Sequence, residues 1–280
     1  MTQCKYIFLI CDVLLKIIFQ AIFVNVTNKN IKDFIVEGLE VYLPSLSLDC
    51  VIFGFHETQL KVLLLKMKNA KQWCLPGGFV FKDEDVDQAA QRVLKERTGL
   101  SKIFLQQFNV FGKPRRSDSN FHREILRKEG IELADDHWLF RRFVTIGYYA
   151  LVEYSHVNPE PDNFSDYCTW RAVSDLPDLM MDHRQIAAEA LSTLQTHLNY
   201  HPIGYNLLPA KFTMPQFQKL YETILDKKLD RRNFQRKILS YGILKRLKEV
   251  KKGGAHKAPY PYSFDLRKYH KALKEGLQSW

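Results

Sequence analysis

The sequence is 280 residues long, 46% hydrophobic and 26% charged, an ordinary balance for a globular chain that excludes wholly disordered and collagen-like polypeptides. Its five cysteines are scattered without a C-x-x-C pair, which argues against a zinc ribbon or a disulfide framework and favours a reducing compartment such as the cytoplasm. The net charge of +10 is concentrated at one end: residues 205–280 carry 18 basic and 6 acidic side chains, net +12, and the rest of the chain is close to neutral at −2. A basic quarter on a neutral body points to a polyanionic partner.

Residues 6–24, YIFLICDVLLKIIFQAIFV, approach membrane-span length but are interrupted by Asp12, Lys16 and Gln20. Three readings stay open: a translation start placed too early, a membrane-associated or dimerising helix, and a cleaved signal. A membrane partner is not expected. Residues 1–38 are therefore set apart as an apolar extension, 39–200 as a first domain and 201–280 as a second.

Residues 41–66 read as strands. LSLDCVIFGFHETQLKVLLLK is two apolar runs around HETQ, a hairpin pattern, and WCLPGGFV is a strand entering a Pro-Gly-Gly turn. Residues 83–100 have the helical period, with Val86, Ala89, Ala90, Val93 and Leu94 on one face. Asp83 or Asp85 serves as the cap and Gly99 as the stop. Strands follow near 103–110 and 143–152. The charge-dense stretch 115–142 between them reads as an exposed insertion. A strand at 168–173 and an amphipathic helix at 184–198 complete this domain. The last part offers helices at 214–225 and 231–240, a strand at 243–250, a Lys-Gly turn at 251–254, a return strand at 260–264 and a closing helix at 265–276. That order is the one expected of a winged helix-turn-helix.

One spacing is specific. Gly78, Glu84, Arg92, Leu94, Glu96, Gly99 and Leu100 match G-x5-E-x7-R-E-U-x-E-E-x-G-U, and the segment resembles the Nudix box. The resemblance implies an α+β fold, an α/β/α sandwich with a mixed sheet. It also implies Mg²⁺ on a carboxylate face at positions 93, 96 and 97. Residues at i, i+3 and i+4 do share a helix face, but here they are Val93, Glu96 and Arg97. Valine has no ligating atom and arginine repels a cation that wants hard oxygen donors. The box thus reads as a scaffold without pyrophosphatase chemistry, so no catalytic residue, metal or cofactor is assigned. A substitute metal site would have to draw on Asp83, Glu84, Asp85 or Asp87.

A degenerate Nudix domain followed by a basic winged helix is similar to the Nudix-related transcriptional regulators, over about residues 43–274. FGFHETQLKVLLLK, VTIGYYALV, PIGYNLLPAKFT and LDRRNFQRKIL look closest to the L-arabinose-responsive branch. Other members sense ADP-ribose. The resemblance implies a homodimeric repressor with two partners, double-stranded operator DNA and a small effector: L-arabinose, another sugar or ADP-ribose. Gly77, Gly78, Glu84, Glu96 and Arg97 are the candidate effector-binding residues, although Glu84 and Arg92 could equally brace the motif. Arg231, Arg232, Asn233, Arg236 and Lys237 are the candidate recognition-helix contacts, because Arg and Asn can read guanine and adenine. Lys251, Lys252 and Lys257 are candidate wing contacts to phosphate. His197 and His201 have a metal-like spacing but no Glu between them; they and Cys74 are assigned to packing. The alternative function is an active Mg²⁺-dependent pyrophosphohydrolase with a nucleic-acid-binding tail. A third is a membrane-tethered adaptor.

Overall fold

The computed structural model describes residues 31–99, 103–116, 119–128, 130–161, 165–198, 200–201, 203–248 and 259–276. The first thirty residues, and with them the apolar stretch, lie outside the described set. The chain is first described in helix α1 (Ile31–Val41), which runs through position 38 directly into β1 (Tyr42–His56). No helix among the described residues is long and apolar enough to cross a membrane.

β1 organises the first domain. It pairs antiparallel with β2 (Gln59–Met67) near its end, antiparallel with β4 (Gly77–Phe81) near its start, and parallel with β6 (Val144–Val152) along Leu46–Gly54. β3 (Trp73–Cys74) and β7 (Ser165–Ala172) pair with β2, and β5 (Phe104–Phe111) closes the far edge on β6. The sheet is mixed, as expected. The apolar run in β1 follows from burial on both faces. Alternate side chains point to opposite sides: Leu48, Cys50 and Ile52 meet Ala89, Ala90, Val93 and Leu94 of α2 (Val86–Thr98). Val51 and Phe53 meet Ile186, Ala187, Ala190 and Leu194 of α4 (His183–His197). These are the two helical layers of the sandwich.

The helix cap, the helix stop and the hairpin form where the sequence predicts them. Asp85 caps α2 through a reciprocal box with Gln88, and Gly99 ends it at φ 71. The HETQ hairpin turns on Glu57 and Thr58, both at positive φ, the backbone a two-residue hairpin demands.

The insertion needs correcting. It contains helix α3 (Ser119–Lys128) and a 3-10 turn at Trp138–Phe140, and it is not all exposed. Trp138 is buried and donates its indole N–H to the Ile35 carbonyl of α1 (3.1 Å); Leu126 and Arg116 are buried too. Charge density hid these anchors, because the apolar positions are too few to give a period.

The second domain runs from β8 (Phe212–Thr213) through α5 (Met214–Leu225), α6 (Arg231–Ser240), β9 (Leu244–Arg246) and β10 (Pro261–Phe264) to α7 (Leu266–Glu275). β10 lies between β8 and β9 in a small antiparallel sheet. The first strand of the hairpin is shorter than expected, and the Lys-Gly turn lies outside the described residues. One apolar cluster spans both domains, from Val51 and Tyr149 through Leu194 and Leu198 to Phe217, Tyr221 and Ile238. Gln195 Nε2 donates to the Ile224 carbonyl (2.8 Å), and Thr223 Oγ1 donates to the Thr58 carbonyl at the hairpin tip (3.0 Å).

Candidate functional site

The sequence predicts a Pro-Gly-Gly turn here, but Gly77 and Gly78 open β4 and pair with Asp49 and Leu48 of β1; β4 and α2 form the box region. A Cβ on Gly77 would lie 2.6 Å from Asp49 Oδ1 and 2.7 Å from the Leu48 carbonyl; one on Gly78 would lie 2.8 Å from Val93 Cγ2. A side chain at 77 would collide with β1, and one at 78 with Val93 of α2. Glu84 is engaged inside the motif. Its Oε1 accepts from the Phe81 N–H (2.9 Å) and from Arg92 Nη2 (2.6 Å), and its Oε2 accepts from Arg92 Nε (3.1 Å). Arg92 Nη2 also donates to the Phe79 carbonyl (2.8 Å), and the guanidinium lies over the Phe81 ring. Glu84 and Arg92 brace β4 against the helix.

Glu96 sits 3.4 Å from Arg92 Nη1 and keeps partial exposure. Val93 is 1% exposed and belongs to the core between sheet and helix. The Mg²⁺ implied by the motif therefore has no fitting donor set here. Val93 fills one ligand position with a packed methyl, position 97 is arginine, and Glu84 is consumed by Arg92. The carboxylates of a substitute site are also engaged or apart: Asp85 caps α2, Asp87 accepts from the Tyr148 hydroxyl (2.6 Å), and Asp83 is exposed. No cluster of three or more potential metal ligands occurs among the described residues.

Behind the start of β4 lies a network that sequence reasoning missed. Arg116 donates to Asp182 from Nε (3.0 Å) and Nη2 (2.8 Å), and its Nη2 also lies 3.5 Å from Asp49 Oδ2. His183 Nδ1 accepts from the Leu75 N–H (2.9 Å) and its Nε2 is buried without a hydrogen-bond partner, 3.8 Å from Asp49 Oδ1. Burial lowers the His183 pKa and keeps the ring neutral; Asp49 opposes the shift. The signal was Asp49 itself, a charge inside the run LSLDCVIFGF, since a buried carboxylate requires a partner. The network ties the start of the insertion and the approach to the box onto the first turn of α4.

α4 ends against the second domain. His197 Nδ1 pairs with the Tyr149 hydroxyl (2.7 Å), and the His197 and His201 rings meet edge to face at 5.5 Å, which is packing. Cys74 is buried. The α5–α6 turn is locked from α5: Gln218 Nε2 donates to the Leu229 carbonyl (2.9 Å), and Glu222 Oε1 accepts from the Leu229 N–H (2.9 Å). That backbone bond holds the Glu222 carboxyl below its usual pKa. Asp230 caps α6 by accepting from Asn233 N–H (2.8 Å). Phe234 and Ile238 point inward, while Arg231, Arg232, Asn233, Arg236 and Lys237 are exposed together. Arg236 Nη2 donates to Asn233 Oδ1 (3.0 Å), which holds two polar groups side by side. Lys251, Lys252 and Lys257 lie outside the described residues.

The NUDIX domain model matches residues 44–193, more than half of the chain. The chain belongs to the NUDIX family. The model of the NrtR DNA-binding winged helix domain matches residues 204–264, so this family member joins a Nudix domain to a winged helix. It is 27% identical over 233 residues to the ADPR responsive transcriptional repressor NtrR of Acinetobacter baylyi, covering 81% of this chain and 84% of the relative. Among solved structures it is similar to Shewanella oneidensis NrtR complexed with a 27mer DNA: TM-score 0.63, 26% identity, 80% of this chain and 95% of that one. A MutT/nudix family protein from Enterococcus faecalis shares the fold at TM-score 0.56 and 22% identity, over 85% and 94% of the chains. The expected L-arabinose-responsive branch finds no support in these relatives; the repressor among them is named for ADP-ribose.

Proposed function

We propose that the protein is an effector-responsive transcriptional repressor. Its winged helix binds operator DNA as a homodimer in the cytoplasm, and its catalytically degenerate Nudix domain takes a small sugar-containing effector. The observation that carries this is the exposed row Arg231, Arg232, Asn233, Arg236 and Lys237 on a capped helix whose other face is sealed by Phe234 and Ile238. Such a helix presents cations and amide groups of the size that reads a major groove. Lys251, Lys252 and Lys257 add phosphate contacts from the wing.

The effector site lies beside Gly77 and Gly78 of β4 and α2, where Glu96 is an acceptor and the sequence supplies Arg97 as a donor type for hydroxyls or a pyrophosphate. Glu84 supports it from behind. ADP-ribose is the leading effector, because the Acinetobacter relative is named for it; L-arabinose and other pentoses are the alternatives. The effector must favour one arrangement of the dimer over another, because equal affinity for both would shift nothing. α4 is the physical link: its first turn is tied to the box side and its last turn packs on α5.

The test is fluorescence anisotropy of the full chain on DNA from upstream of its own gene, with ADP-ribose and L-arabinose added in turn. The expected result is salt-steep binding that one of the two reverses. Equal weak binding to any polyanion, unaffected by either compound, would sink the proposal.

A further inference from the structure

Not every exposed cation of the winged helix is available to a partner. Lys245 Nζ lies 3.3 Å from Asp265 Oδ2, and Lys271 Nζ lies 3.8 Å from Glu275 Oε2. Arg246 is different. It is exposed, no carboxylate pairs with it among the described residues, and its guanidinium carbon lies 3.4 Å from the centroid of the Tyr260 ring. Tyr260 in turn packs against the core that holds Phe234 and Ile238 of α6. A guanidinium held over an anchored ring is confined there by the cation–π contact, and its planar fork of N–H donors stays free for an anion. The stack also removes much of the rotamer freedom that a long side chain otherwise loses on binding.

Its place in the fold fits a DNA contact. β9 begins four residues after α6 ends, across a Gly242 at φ 64. Arg246 pairs in register with Tyr262, and the Leu247 N–H donates to the Pro261 carbonyl, so Arg246 sits where the wing leaves the domain. It shares a face of β9 with Leu244, which packs on the core containing α5 and α6. Lys245, on the other face, reaches the Asp265 cap of α7.

We propose that Arg246, pre-oriented by Tyr260, binds a phosphate of the DNA backbone beside the groove entered by α6. This rests on the DNA-binding reading above and singles out one cation of the basic run Lys245, Arg246, Lys248, Lys251 and Lys252. A phosphate contact carries no sequence information, so it strengthens binding to any duplex and contributes one counterion to the salt dependence.

The test uses the full chain, a duplex from upstream of its own gene and a scrambled duplex of the same length, across a KCl series. Arg246→Ala is expected to weaken both duplexes by the same factor and to reduce the slope of log K against log salt by about 0.9. Arg246→Lys keeps the slope, because a point charge still neutralises a phosphate. Tyr260→Leu keeps the slope but weakens binding, since only the pre-orientation is lost. An Arg246→Ala slope equal to wild type overturns the inference and leaves Arg246 as a brace for the wing. A loss confined to the operator duplex also overturns it, in favour of base reading. Wild-type protein that binds neither duplex removes the DNA reading itself, an outcome separate from both.

Discussion

Single residues decide what this Nudix box can do. Val93 replaces a carboxylate with a branched apolar group that seals against Gly78, 2.8 Å from where a Cβ would stand. Gly78→Ala should therefore cost about 1–3 kcal/mol through overpacking. Val93→Ala opens room at the same point, so the double variant should be less destabilised than the sum of the two, with a coupling of about 1 kcal/mol in urea unfolding. Strict additivity would mean that the two do not touch. Arg116 is the second decisive residue. Its side chain is 3% exposed between Asp49 and Asp182, so Arg116→Ala leaves the buried Asp49 and the half-buried Asp182 without their cation. The expected loss is about 3–5 kcal/mol, read from the urea midpoint. His183 sets the pH response. Its folded pKa is lowered by burial, so the unfolded chain binds the extra proton first. The stability it contributes is complete above its unfolded pKa, near about 6.5, and is lost as pH falls below that value. Melting temperature should decline from neutral to mildly acid pH, and His183→Gln should flatten that decline. An unchanged slope in the variant would assign the acid sensitivity to other groups.

At the scale of elements, most of the fold was legible because its signals are local. Of the two caps the sequence offered, Asp85 bounds α2 at its start and Gly99 ends it, and the apolar spacing marked α5 and α6. The insertion was misread because its anchors, Trp138 and Leu126, are single apolar residues in a charged stretch. The Arg116 network was not legible because its members come from β1, the insertion and α4, and only the fold brings them together. Arg246 was missed for the same reason, since its partner Tyr260 lies across the wing. The β1–β2 hairpin carries a cost that the sequence shows only in retrospect: HETQ offers no glycine, yet Glu57 and Thr58 both hold positive φ. A β-branched residue there is strained. Thr58→Gly should raise stability by about 1 kcal/mol in thermal or urea unfolding, while the Thr58 carbonyl still accepts from Thr223. A loss of stability instead would show that the Thr58 side chain contributes more than its backbone strain costs.

At the scale of the whole molecule, the two domains share one apolar cluster, with Leu194 and Leu198 of the α4 end meeting the helices of the second domain. That arrangement differs from two domains on a linker. A linker would let an effector act by loosening the junction. A continuous core makes the junction costly to open, so on the proposed function an effector taken up beside α2 would have to act by moving the joined pair relative to DNA or to a second copy. The continuity is testable through Leu194, which is 0% exposed. Leu194→Ala removes methylene groups from the shared cluster and should cost about 2–5 kcal/mol. If the cluster is one cooperative unit, that loss appears equally in the slowest-exchanging amides of β1 and β6 and in those of α5 and α6, measured by native-state hydrogen exchange. If amides of α5 and α6 lose protection while those of β1 and β6 keep theirs, the winged helix is a separate folding unit. The effector would then have a junction to loosen after all.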